Sequence, residues 1–158
     1  MQRLMESIVR ILATGESVVV ATILSHAGST PRTSGARMLI RADGSIEGTV
    51  GGGLVEAEIM RTGLTMMASP GTLVRSYDLR FGSAGETLDM LCGGRLEVLL
   101  ESLAPTPEPL RFYRQVAEAL AHGRRGLTVT ALPDAGIASG GITKWWADRH
   151  GVRAGRLA

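Results

Sequence analysis

With 158 residues, 44% of them hydrophobic and 20% charged, the chain can build one ordinary core and is not a disordered segment. The formal net charge is +2, its basic excess is too diffuse to read as a nucleic-acid footprint, and no zinc-finger, homeodomain or RNA-binding signature is present; with 4% aromatic residues the core must be mostly aliphatic. One cysteine excludes an internal disulfide and no stretch reaches membrane-span length, so a soluble protein of a reducing, cytoplasmic compartment is expected.

Leu4, Ile8, Ile11 and Leu12 recur at helical spacing, and Gly15 follows as a helix stop. Ser17 to Leu24 is rich in valine and isoleucine and predicts a nearly continuous buried strand. His26 to Gly35 reads as a polar loop. Ala36 to Arg41 and Ser45 to Val50 are two short strands, and the Asp43-Gly44 pair between them predicts a hairpin. Three glycines then precede a helix over Leu54 to Met67, with Leu54, Ile59, Leu64 and Met67 on one broad face.

Ser69-Pro70-Gly71 stops that helix, and Thr72 to Leu79 is strand-like. Ser83 and Glu86 have capping-box spacing, predicting a short helical turn through Leu91. Arg95 to Leu103 alternates Leu96, Val98 and Leu100 with Arg95, Glu97 and Glu101, the pattern of a strand with one wet edge or face. Pro105, Pro107 and Pro109 mark a boundary. Beyond it come an amphipathic helix, Leu110 to Ala121, a strand, Leu127 to Leu132, and a glycine-rich stretch whose one clear feature is Trp145-Trp146. These two tryptophans serve either as a core plug or as a contact surface. The fold class expected is α/β or α+β: a mixed β-sheet with flanking helices in a single compact domain. Residues 1–104 form its core, and 105–158 a helix-strand extension packed on it.

Two glycine turns stand out, Gly51-Gly52-Gly53 and, after Cys92, Gly93-Gly94, because glycine there is useful only where backbone must bend sharply or approach closely. The first lies between a strand and a helix, where unpaired amides can hold an anion. It lacks both the dinucleotide fingerprint and a Walker lysine. Glu56 and Glu58 complement the helix dipole, although Glu56 would repel a phosphate at the same mouth. Ser29 and Arg32 sit on the loop after the first strand, and Arg37 lies just beyond, so the two guanidiniums could clamp an acidic ligand. Sixteen arginines against the single Lys144 fit phosphate binding or simply a GC-rich genome. Cys92 is either a thiolate favoured by neighbouring amides and Arg95, or a buried small hydrophobe. His26 is a loop imidazole with acid–base or merely hydrogen-bonding use.

Three segments carry a resemblance to a known family: 27–32 with 35–38, 48–56, and 90–98. In order and spacing they resemble the amino-terminal domain of the XdhC/CoxI family, accessory factors for xanthine dehydrogenase and related molybdenum hydroxylases. The resemblance implies a cytoplasmic, homodimeric accessory protein that transiently binds molybdenum cofactor (molybdopterin). It further implies help in cofactor sulfuration with a cysteine desulfurase, and delivery to a hydroxylase of the xanthine dehydrogenase type. Ser29, Arg32, Arg37, Gly51, Gly52, Gly53, Cys92, Gly93 and Gly94 would contact the cofactor, with Cys92 as the sulfur-carrying and metal-contacting residue. Two departures are visible. Leu54 stands where the family commonly has cysteine, and the family's carboxy-terminal Rossmann-like domain is not represented, so no nucleotide site is expected here. A docking or dimerisation scaffold, and a small cysteine-dependent transferase or hydrolase, are the competing readings.

Overall fold

The run Val18-Val19-Val20-Ala21 has no polar member, and a strand of that composition has to be covered on both sides. The computed structural model, which describes residues 1–79, 94–132 and 144–155, puts this strand, β1 (Val18–Ala27), at the centre of a five-stranded sheet. β2 (Arg37–Arg41) and β5 (Arg95–Leu103) flank it, and β3 (Ile46–Gly48) and β4 (Thr72–Asp78) form the edges. Val18, Val20 and Leu39 face a layer built from α1 (Gln2–Ala13) and α3 (Pro107–Ala121). Val19, Ala21, Ile23, Met38 and Ile40 face the opposite layer, where α2 (Gly53–Met66) lies. Each fully buried aliphatic side chain of this kind contributes about 1.5–3 kcal/mol of transfer free energy.

Helices on a sheet in one domain are therefore found as expected. Where the sequence suggests one mixed sheet, the described strands form two sheets in which every pairing is antiparallel. The reason lies in the connection made by α2. It leads from β3 at one edge to β4 at the other, so it does not bring its two strands together as parallel neighbours. The second sheet comprises β6 (Gly126–Thr130), β7 (Lys144–Asp148) and β8 (Gly151–Gly155), in that order. Among the described residues no helix is long and apolar enough to cross a membrane.

Several local expectations need correction. β1 continues through His26 and Ala27, which pair with Leu96 and Arg95, so the presumed loop starts later than its polarity suggests. On α2 the buried positions are Ile59, Gly63 and Met66, while Leu54 and Leu64 are exposed. Five residues of helix rotate a side chain about 140° off a face, and Leu54 and Leu64 are each five residues from Ile59. Gly63 permits close approach, since a Cβ there would lie 2.6 Å from Ile40 Cδ1. Glu101, expected on a wet face, is buried, because α3 and the small sheet cover that side of β5. Trp146 is the core plug and is 2% exposed. A Cβ on Gly126 would overlap its indole ring, which explains a glycine at the start of β6. The short helical turn expected around Ser83, Glu86 and Leu91 lies outside the described residues.

Candidate functional site

Three stretches that are far apart in the sequence meet at the end of β1. The loop that follows it is closed at its neck by two backbone bonds, Ile23 N–H to Ala36 O (3.0 Å) and Gly35 N–H to Ile23 O (2.8 Å). His26 Nδ1 accepts the Ser34 amide at 3.2 Å and lies 3.0 Å from Ser34 Oγ. This uses the imidazole as a clasp for the loop. Within the loop, Thr30 Oγ1 donates to Arg32 O at 2.9 Å, which tightens the turn carrying Ser29 and Arg32.

Glycine 94 packs beneath that turn. A Cβ at this position would lie 2.5 Å from Ser29 O, 2.6 Å from Thr30 Cγ2 and 2.7 Å from Ala27 O, so only hydrogen fits. Its carbonyl accepts the Leu79 amide at 2.8 Å, which fixes it to the strand edge. On the other side, a Cβ on Gly51 would lie 2.5 Å from Pro31 Cγ. The loop is thus held between the first glycine turn and the end of the second. Cys92 and Gly93 lie outside the described residues.

The glycine turn at the start of α2 is filled from within. One oxygen of Glu56, Oε2, accepts Thr49 Oγ1 (2.6 Å), the Gly52 amide (3.1 Å) and the Val50 amide (3.2 Å). Thr49 Oγ1 accepts the Gly51 amide at 3.0 Å. The amides considered as an anion cradle at Val50, Gly51 and Gly52 therefore already have acceptors. Gly53 begins the helix itself and is exposed. Gly52, with φ +80 and ψ −176, adopts a conformation almost restricted to glycine, and no atom lies within 4 Å of where its Cβ would be. The turn is hydrogen-bonded from within, but one side of it is open.

The two arginines separate. Arg32 is exposed on the loop, and among the described residues it has no ion-pair partner. Arg37 pairs with Thr22 and faces the α1–α3 layer, and its Nη1 reaches Met1 Sδ at 3.1 Å. No clamp forms between them. The structure brings together Ser29, Arg32, Gly51, Gly52, Gly53 and Gly94, and it directs Arg37 elsewhere.

A second polar cluster, which no local sequence pattern groups together, joins β5, α3 and β7. Lys144 Nζ on β7 donates to Glu101 Oε1 on β5 at 2.5 Å and to Tyr113 Oη on α3 at 3.2 Å. Burial raises the Tyr113 hydroxyl above its ordinary value. Burial opposes the Lys144 charge, but Tyr113 and Glu101 outweigh it and the net direction is upward. A sequence signal did exist: the chain's single lysine, and a carboxylate in the middle of an apolar strand.

The XdhC and CoxI family model matches residues 11–78, which bears out the resemblance carried by the motif segments and includes the first two of them. The chain is 34% identical over 97 residues to the molybdenum cofactor insertion chaperone PaoD of Escherichia coli, covering 60% of this chain and 29% of that one. It is 40% identical over 82 residues to the uncharacterised protein YqeB of the same organism, covering 51% of this chain and 15% of that protein. A solved structure described as a xanthine dehydrogenase from Bacillus halodurans superposes with a TM-score of 0.81 at 23% identity, over 99% of this chain and 45% of that one. The last likeness establishes the fold. The chain spans less than a third of each of these curated relatives.

Proposed function

Starting from the XdhC and CoxI family match at residues 11–78, we propose that this chain binds molybdenum cofactor and assists its insertion into a molybdenum hydroxylase of the xanthine dehydrogenase type. The observation that carries the reading is the convergence of the motif segments, with Gly51 against Pro31 and Gly94 against Ser29. The cofactor is cargo here, and it supplies the metal centre that the recipient enzyme needs. The residues present suit an open, polar ligand surface. Ser29 and Arg32 offer a hydroxyl and a guanidinium, Gly52 leaves one side of the turn open, and few aromatic rings are available for stacking.

In this reading Cys92, two residues before the buried Gly94, contacts the metal or carries sulfur received from a cysteine desulfurase. A homodimer would supply two such thiols, since Leu54 occupies the position where the family commonly has a second one. A cytoplasmic setting follows from this role. The docking-scaffold reading draws on Leu127 and Val129, both exposed on β6. Anaerobic titration of the protein with molybdenum cofactor separates the two. Saturable binding is expected, weakened roughly tenfold or more by Cys92→Ser. Absence of binding by folded wild-type protein would favour docking.

A further inference from the structure

We propose that Glu56 is a specificity-determining residue of the candidate site: its carboxylate acts as a built-in anion that closes the glycine turn to phosphate and leaves the exposed Arg32 to receive a ligand's anionic end. The proposal rests on reading this end of the sheet as a cofactor site. A strand–glycine–helix connection binds phosphate when its amides are open and the helix dipole lies behind them. Here the donors are occupied. Glu56 Oε2 accepts from Thr49 Oγ1, Val50 N and Gly52 N, and Thr49 Oγ1 takes the Gly51 amide.

The carboxylate is also uncompensated by cations among the described residues. Among the described residues no arginine or lysine forms an ion pair with Glu56, so its negative charge is met by amide and hydroxyl dipoles of the turn. A phosphate approaching the same amides would come within a few ångströms of a like charge, disfavouring it on the order of a hundredfold. Arg32 stands on the neighbouring loop, whose Pro31 touches Gly51, and it has no ion-pair partner among the described residues. The charge pattern therefore repels an anion at the turn and attracts it at the loop.

The test titrates isotope-labelled protein with inorganic phosphate and follows backbone amide and arginine side-chain resonances. In the wild type, Arg32 Nε is expected to shift while the Val50 and Gly52 amides do not shift saturably. In Glu56→Ala these two amides should become responsive, with half-saturation at least roughly tenfold below any wild-type response. Glu56→Gln keeps the size without the charge and should show a smaller gain, which preserves the test if the alanine variant does not fold. A purely structural Glu56 would lower stability without creating phosphate response. Saturable wild-type shifts at Val50 and Gly52, or no gain in either variant, would overturn the proposal. Because the probe is phosphate alone, a protein that shows this pattern yet fails to bind molybdenum cofactor would sink only the functional reading.

Discussion

Lys144→Met is expected to lower the unfolding free energy by about 3–5 kcal/mol, a large share of the 5–15 kcal/mol typical of a domain. The substitution removes the cation that meets Glu101 at 2.5 Å and leaves a carboxylate side chain only 5% exposed. It also takes the donor from Tyr113 Oη and the ammonium 5.5 Å from its ring centroid. Breaking one half of a buried pair costs far more than the pair is worth against an apolar replacement. The double variant Lys144→Met, Glu101→Leu should therefore recover much of the loss. Denaturant unfolding of the wild type, both single variants and the double variant checks this. Additive losses, with no recovery in the double variant, would show that the two side chains do not depend on each other.

The same cluster sets an alkaline limit. The ordinary values are 10.0 for Tyr113 and 10.5 for Lys144, and both groups are raised in the folded protein. Folded protein then holds these protons more tightly than unfolded chain, so their stabilisation is complete below about pH 10 and is lost as pH rises through the folded values. Unfolding midpoints measured from pH 7 to 11 should fall at the top of that range. In Lys144→Met the lysine part of that fall should be missing. An identical alkaline limb in the two proteins would mean that Lys144 titrates alike in both states.

The elements that were legible in the sequence are those whose burial follows a simple local pattern. β1 is apolar on both faces, and the Asp43-Gly44 turn sets the β2–β3 hairpin. β7 and β8 were not legible, because Lys144 and Asp148 bound the first and glycines bound the second. Their burial comes from a long-range partner, α3, which no local period records. The polar cluster was hidden for the same reason, since Glu101, Tyr113 and Lys144 come from three elements. At the candidate site, the glycine turns, Ser29 and Arg32 could be singled out by residue type. That Arg37 faces the other layer follows from its pairing with Thr22, which is a matter of register. Glu56 was visible as a charge near the helix start, but not as the acceptor for two amides of its own turn.

Gly94→Val is expected to disturb the candidate site more directly than any other single change in the described residues. The first carbon of the new side chain would sit 2.5 Å from Ser29 O and 2.7 Å from Ala27 O, both backbone atoms that cannot rotate away. Residue 94 cannot retreat easily either, because its carbonyl is bonded to the Leu79 amide and Arg95 pairs with Ala27. The loop must therefore lift, at a cost of about 1–3 kcal/mol or more. Displacing Ser29 and Thr30 moves Pro31, and Pro31 touches Gly51, so amide resonances from Ala27 through Gly52 should shift together. Cofactor affinity should fall further than stability alone explains, since Ser29 and Arg32 leave their places relative to the glycine turn. Gly51→Ala approaches the same loop from the opposite side and meets only the Pro31 ring, with Cγ at 2.5 Å. If convergence of the segments is what makes the site, the two variants should impair binding by different routes and leave α1 and α3 undisturbed. Full binding by a folded Gly94→Val protein would mean that the ligand does not need these segments held together.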